Sequence, residues 1–262
     1  MSGASGGLGA EVFVQPEFST EDVRGLENIS TTAWPASERV SLDGWIMRYS
    51  PTPTRRVNSV LANAYDGNRE LGDRIADVEA FYADKGQSPR FQLTRGSLPE
   101  DLDGTLAQRG YEVETPVDIQ VSPVKPIHAA VRKKGRTRIL DDMAPGWLAV
   151  YADGFDRDVT AVIEQISGRA AFMTFEHKAQ VLGVALGVLS AGWLGIFGMH
   201  TVKAHRSQGI GVAMLGGLAE WAAESDARGM YLQVEQSNPR AQALYERLGF
   251  RTVYTYHYRT LF

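Results

Sequence analysis

The sequence predicts an α+β (α/β) protein of two units, with the ligand chemistry in the second. Three observations predict it. Strand-like and helix-like segments alternate through both halves, a proline-bearing basic stretch at 122–136 separates them, and in the second half an apolar strand empties through a glycine loop into a helix.

The chain has 262 residues, enough for one large or two ordinary domains, and 44% hydrophobic content can fill their cores. Residues 1–10 are rich in glycine and serine and are expected to form a flexible terminus, followed by a short apolar-alternating piece at 12–14. The cluster Ser19-Thr20-Glu21-Asp22 opens a helix that carries Val23, Leu26 and Ile29 inward, and Trp34-Pro35 ends it. Residues 42–49 and 56–62 read as two strands joined through a turn that holds Pro51 and Pro53. Leu71, Ile75, Val78, Glu79 and Tyr82 imply a helix that stops at Gly86. A short strand at 91–93, a helix at 98–109 closed by Gly110, and a last strand at 111–121 complete a first unit spanning 11–121.

Pro123, Pro126 and Arg132-Lys133-Lys134-Gly135-Arg136 mark a linker at 122–136. Its charge run reads as a solvated segment, or alternatively as a basic patch that helps attract a phosphorylated ligand. The second unit, 137–262, begins with a strand at 138–140 and helical turns at 147–152 and 159–166. Strands at 169–175 and 180–189 flank a turn containing Glu176, His177 and Lys178. Residues 193–202 have the aromatic, Ile, Thr and Val content of a strand buried on both faces. From Val212 the period changes: Val212, Leu215, Leu218, Ala219 and Ala222 recur at helical spacing, so a helix begins close to Gly209.

Between strand and helix lies Arg206-Ser207-Gln208-Gly209-Ile210-Gly211-Val212. Without Cβ atoms at Gly209 and Gly211, an outside group can approach the first-turn amides, which have no partners inside the helix. Together with the helix dipole these amides suit a phosphate or pyrophosphate; a glycine pair that only packs the helix start tightly is the other reading. The spacing R-x-x-G-x-G is neither the Walker pattern nor the dinucleotide fingerprint.

Arg206-Ser-Gln-Gly209-Ile-Gly211 resembles motif A of the GCN5-related N-acetyltransferases (GNAT family). A further strand at 230–235 is followed by Asn238-Pro-Arg-Ala241-Gln-Ala-Leu244-Tyr245-Glu-Arg-Leu-Gly249-Phe250, which resembles that family's N-x-x-A-x-x-L/F-Y-x-x-x-G-F segment. The resemblance implies tandem GNAT-like domains with a mixed central sheet flanked by helices and the cofactor site in the C-terminal domain. The first unit has the family's element order with pieces missing, and so resembles a degenerate copy. Its stretch Asp66-Gly67-Asn68-Arg69-Glu70-Leu71 has one glycine and two carboxylates, a poor receptor for pyrophosphate. An unrelated α+β domain of similar layout is the alternative.

The resemblance further implies an acyl-CoA-dependent N-acyltransferase that moves an acetyl group from acetyl-CoA, as cosubstrate, to a primary amine by direct attack in a ternary complex. Residues 206–212 would hold the pyrophosphate, the backbone of Met199, His200 and Thr201 would meet the acyl carbonyl and pantetheine arm, and Asn238 would touch that arm. Asn238 also suits the N-cap ahead of Pro239. Tyr245 matches the tyrosine that protonates the leaving thiolate; otherwise it packs beside Phe250. An amine of reference pKa about 10 must lose a proton before it attacks. Glu235, at the end of the following strand, is the first candidate base, ahead of His200 and Glu176, and a water path to bulk would leave no mark. The competing function is an acyl-CoA-binding regulatory or sensory module without turnover.

Composition narrows the rest. A net charge of -4 gives no basic field for nucleic acid. Zero cysteines exclude disulfides, thiol nucleophiles and thiolate metal sites, and no metal is expected. The absence of a long apolar run or a signal-like start leads to the expectation of a cytoplasmic protein without membrane partners. The expected partner is an amine on a small molecule or on a protein or peptide, and the expected state is monomer or homodimer.

Overall fold

The computed structural model describes residues 17–114, 116–127, 132–155 and 158–262. The expected terminus at 1–10, the piece at 12–14 and positions 128–131 of the linker lie outside the described residues. The first half runs α1 (Thr20–Ala33), β1 (Glu38–Leu42), β2 (Trp45–Tyr49), β3 (Val60–Leu61), α2 (Leu71–Ala83), β4 (Arg90–Leu93), α3 (Leu102–Gln108), β5 (Glu112–Val113) and β6 (Val117–Ser122). The second runs β7 (Arg136–Leu140), α4 (Pro145–Gly154), α5 (Thr160–Ile163), β8 (Arg169–His177), β9 (Gln180–Ser190), β10 (Trp193–Thr201), α6 (Ile210–Glu224), β11 (Gly229–Glu235), α7 (Pro239–Arg247) and β12 (Arg251–Thr260). The strands form a mixed sheet in the order β1-β2-β3-β4-β12-β6-β11-β10-β9-β8-β7, with β5 on β12, and helices flank it as an α+β fold requires.

Local chemistry explains most boundaries. Ser19 and Asp22 form a reciprocal capping box, and α1 then buries Val23 and Leu26. The strand expected at 42–49 is broken by Asp43-Gly44, both with positive φ (46° and 93°), which turn β1 into β2 as a two-residue hairpin. A Cβ on Gly44 would sit 2.7 Å from the Ala64 carbonyl carbon, so the position requires glycine. The strand expected at 56–62 shrinks to β3. Asn58 donates its side-chain amide to the carbonyls of Thr52 and Thr54 and holds Arg55–Val57 in a 3-10 turn.

The expected last strand of the first unit is two strands, β5 and β6, on either side of Pro116, and they serve different halves. β5 pairs Glu112 and Val113 with Thr260 and Arg259 at the end of β12. β6 leaves its own half and inserts between β11 and the start of β12, pairing Ser122 to Val117 with Met230 to Glu235 on one side, and Val121 to Val117 with Arg251 to Tyr256 on the other. The end of β12 in turn inserts between β4 and β5. Each half thus lends its final strand to the other. One sheet therefore contains the strands on both sides of the division expected at 122–136.

The two halves share one architectural device: a parallel pair joined by a helix, β3-α2-β4 and β10-α6-β11. Their helix starts differ. At α2 the buried Arg74 guanidinium donates to the carbonyls of Asp43 and Asp66 at 3.0 and 2.7 Å and lies 4.0 Å over the Tyr65 ring, so the protein itself fills the space. One core joins Val23, Leu26 and Trp34 of the first half with Val184, Leu186, Phe197 and Tyr231 of the second. Among the described residues no helix is long and apolar enough to cross a membrane.

Candidate active site

Parallel pairing of β10 with β11 runs from Trp193 opposite Gly229 to Ile196 opposite Leu232 and stops there. On its other side β10 changes register against β9 between Phe197 and His200. Gly198 sits in this bulge at φ +56°, and a Cβ there would lie 2.5 Å from the Tyr151 ring, so only glycine fits. The bulge steers β10 away from β11. A cleft of about 330 Å³ opens in the gap, with Phe197, Gly198 and Met199 on one wall, Gln233, Val234 and Glu235 on the other, and Asn238, Ala241 and Tyr245 of α7 across it.

The glycine loop lies beside this cleft. Gly209 is the N-cap of α6 in the left-handed region (φ 84°), and neither a capping side chain nor an acidic residue occupies the first turn. By contrast Ser19 caps α1 and Asn238 caps α7. Among the described residues, the start of α6 therefore presents first-turn amides without a side-chain cap and a positive dipole end, a donor set that an anion such as pyrophosphate fits. Arg206 donates from Nε to the Thr201 carbonyl at 3.0 Å, and Arg240 donates to Ser207 Oγ at 2.7 Å, pinning the loop to β10 and α7. The Gln208 carbonyl accepts from the amides of Arg132 and Lys133 at 3.0 and 3.1 Å, which brings the basic linker run against the loop. Ile210 is buried, and Val212 is half-buried. A Cβ on Gly211 would lie 3.2 Å from Met199 Cε and 3.6 Å from Leu244 Cδ2, so the helix start touches the bulge and α7 together.

Tyr245 lines the cleft, and its ring meets Phe250 edge-on at 6.0 Å, so its packing and its exposure to the site coexist. Burial pushes its phenol up to about 12. Asn238 also lines the cleft while its side-chain oxygen accepts from the Ala241 amide at 3.2 Å. Glu235 lies on the wall and is half-exposed; Oε1 accepts from Arg55 at 2.5 Å and Oε2 from Ser237 at 3.3 Å. The His200 backbone belongs to the bulged strand, but its side chain turns to α4, 3.4 Å from Asp153 and edge-on to Phe155. Burial pulls the His200 imidazole below its ordinary value, with Asp153 opposing. Glu176, on β8, is bonded to Arg136 of the neighbouring β7. Neither His200 nor Glu176 is among the residues that line the cleft.

The first half supplies a wall that sequence reasoning misses. Trp34 stacks on Phe197 with ring centroids 5.1 Å apart, and the Arg56 guanidinium lies 5.6 Å over the same ring. Arg55 bridges Glu235 to Glu114, the latter at 2.8 Å. Tyr256 and Tyr258 of β12 close the remaining side. These residues meet only because the strands are exchanged, so no local pattern announces them.

The family model described as "Probable histone acetyltransferase Rv0428c C-terminal" matches residues 20–259. The chain is 27% identical over 249 residues to the "Uncharacterized N-acetyltransferase YobR" of Bacillus subtilis (strain 168), covering 91% of this chain and 98% of that protein. It is 26% identical over 248 residues to "Probable histone acetyltransferase Rv0428c" of Mycobacterium tuberculosis, covering 92% and 74%. A solved GCN5-related N-acetyltransferase from Kribbella flavida shares the fold with a TM-score of 0.68 at 12% identity, over 90% of this chain and 94% of that one. A tandem GNAT protein from the clavulanic acid biosynthesis pathway does so with a TM-score of 0.62 at 14% identity, over 78% and 74%.

Proposed function

The chain belongs to the family described as Probable histone acetyltransferase Rv0428c C-terminal, within the GCN5-related N-acetyltransferases, and from that premise we propose that it transfers an acetyl group from acetyl-CoA to a primary amine by direct attack in a ternary complex. One observation carries the reading: the uncapped start of α6 abuts Met199, on the wall of the cleft that opens where β10 parts from β11 and that Tyr245 and Glu235 also line.

In this reading the amides of residues 209–212 hold the pyrophosphate, with Arg206 and Ser207 shaping the loop and Gln208 tying it to the linker. Acetyl-CoA supplies an acyl thioester. Backbone groups of Met199, in the bulge, and of His200 and Thr201, held by pairing with β9, hydrogen-bond the acyl carbonyl and the pantetheine arm without reorganising. Asn238 remains both helix cap and contact for that arm. Glu235 is the one carboxylate on the described cleft wall, and it accepts the proton that the amine must lose. Arg55 has Glu114 as a second partner when Glu235 does so. Tyr245 keeps its proton at neutral pH and gives it to the departing thiolate. The first half acts as the acceptor wall.

The test is thiol release from acetyl-CoA by the full-length protein across a panel of primary amines, with mass detection of acetylated products. Amine-dependent release supports the reading. Saturable acetyl-CoA binding with no release by any amine would leave a cofactor-binding module instead.

A further inference from the structure

The charged residues on the cleft wall are Arg55, Arg56 and Glu235, two cations against one carboxylate. Arg55 is engaged by Glu235 and Glu114. Among the described residues, no carboxylate lies within ion-pair distance of Arg56; the Tyr256 hydroxyl bonds its guanidinium, while its Nε is buried without a hydrogen-bond partner. Trp34 presents a second such group: its indole Nε1 is likewise buried with no acceptor. Both donors belong to residues that line the cleft and flank the Phe197 ring. Glu27 lies within electrostatic reach of Arg56, but its two oxygens already accept from the Tyr254 hydroxyl and the Gln92 amide.

A buried guanidinium Nε–H without a partner and a buried indole N–H without an acceptor are both costly to keep. They fit a ligand that brings negative charge and acceptor oxygens into the cleft. We propose that the amine acceptor carries a carboxylate and is a small amino acid-like molecule, with Arg56 and Trp34 as the groups that select it. The planar fork of Arg56 suits a carboxylate, and a cleft of about 330 Å³ is of small-ligand size. Arg56, whose charge no carboxylate contacts among the described residues, disfavours acceptors that are themselves polycations, such as polyamines or basic peptides. Selection of this kind rests on the acetyltransferase reading above, and the test separates the two.

The full-length protein is assayed with saturating acetyl-CoA against amino acids, each paired with its own carboxamide, and against a lysine-rich peptide. The pairs keep the amine and differ in the carboxylate charge. Wild type should favour the carboxylate of the best pair by roughly 30-fold or more in kcat/KM, carried by KM. In Arg56→Gln that preference should fall to near one while the acetyl-CoA dissociation constant, measured by calorimetry, stays within a few-fold. Trp34→Phe, which keeps the ring and removes the N–H, should lose part of the preference. A wild-type preference near or below one, a preference for the peptide, or an undiminished preference in Arg56→Gln overturns the proposal. Absence of thiol release with every amine, charged or neutral, is failure of the acetyltransferase reading instead. In that event calorimetric binding of the same amino acids to the CoA-saturated protein decides the proposal: binding that Arg56→Gln abolishes supports it, and no binding overturns it.

Discussion

Ile196 and Leu232 are the last residues that β10 and β11 pair, and the cleft begins where their pairing ends. Tyr245 stands across that gap on α7 with its phenol held near 12 by burial. A general acid with so high a pKa stays protonated through neutral and moderately alkaline pH. We therefore expect Tyr245→Phe to lower kcat by about 10²-fold with little change in acetyl-CoA affinity. In wild type, Tyr245 should impose no alkaline limb on kcat below about pH 11. A variant that loses cofactor affinity and keeps its turnover within a few-fold makes Tyr245 a binding residue.

Strand exchange predicts how the chain tolerates cutting. Without residues 1–136, β6 is gone, and β11 and β12 are left with open edges at the centre of the sheet. A fragment covering 137–262 should aggregate or remain unfolded by circular dichroism. Co-expressed with 1–127 it should be recovered as one soluble complex. A soluble, acetyl-CoA-binding fragment 137–262 alone would show that the borrowed strand is dispensable.

Glu114 fastens Arg55 of the cleft wall to Arg90 of β4 and Thr260 of β12. Burial alone would raise its carboxyl, but hydrogen bonds from Thr260, Arg90 and Arg55 outweigh burial and bring it down to about 2. Because the folded value lies below the unfolded one of about 4.3, the stabilisation is present above the unfolded pKa and fades as pH falls toward 2. Glu114→Gln should cost about 1–2 kcal/mol at pH 7 by urea denaturation, allowing for solvent screening at its partly exposed edge, and much less near pH 2. An equal loss at both pH values would mean that charge plays no part.

The site is legible in the sequence where its geometry is local. R-x-x-G-x-G places a glycine N-cap on α6, and Asn238-Pro239 places the cap of α7, because each rests on backbone chemistry within a few residues. The Asp43-Gly44 hairpin and the break at Pro116 carry ordinary turn signals that a reading based on apolar runs passes over. Tyr254, Tyr256 and Tyr258 alternate into the core at the period of a strand, yet nothing in that alternation says which half the strand joins. Arg55 and Arg56 are the hardest case. They enter the cleft through pairing between distant strands, and their own neighbourhood in the chain reads as a proline-rich turn.

The central claim is that the uncapped start of α6 binds the pyrophosphate of acetyl-CoA, and calorimetric titration of acetyl-CoA into wild type and Gly211→Trp tests it most directly. The new ring would emerge between Met199 and Leu244, at the mouth of the cleft. Its bulk would crowd the first-turn amides, so the dissociation constant should rise by roughly 10-fold or more, an energetic loss of about 1.4 kcal/mol. The thermal midpoint should stay within a few degrees of wild type. A correctly folded Gly211→Trp protein that binds acetyl-CoA as tightly as wild type would contradict the account.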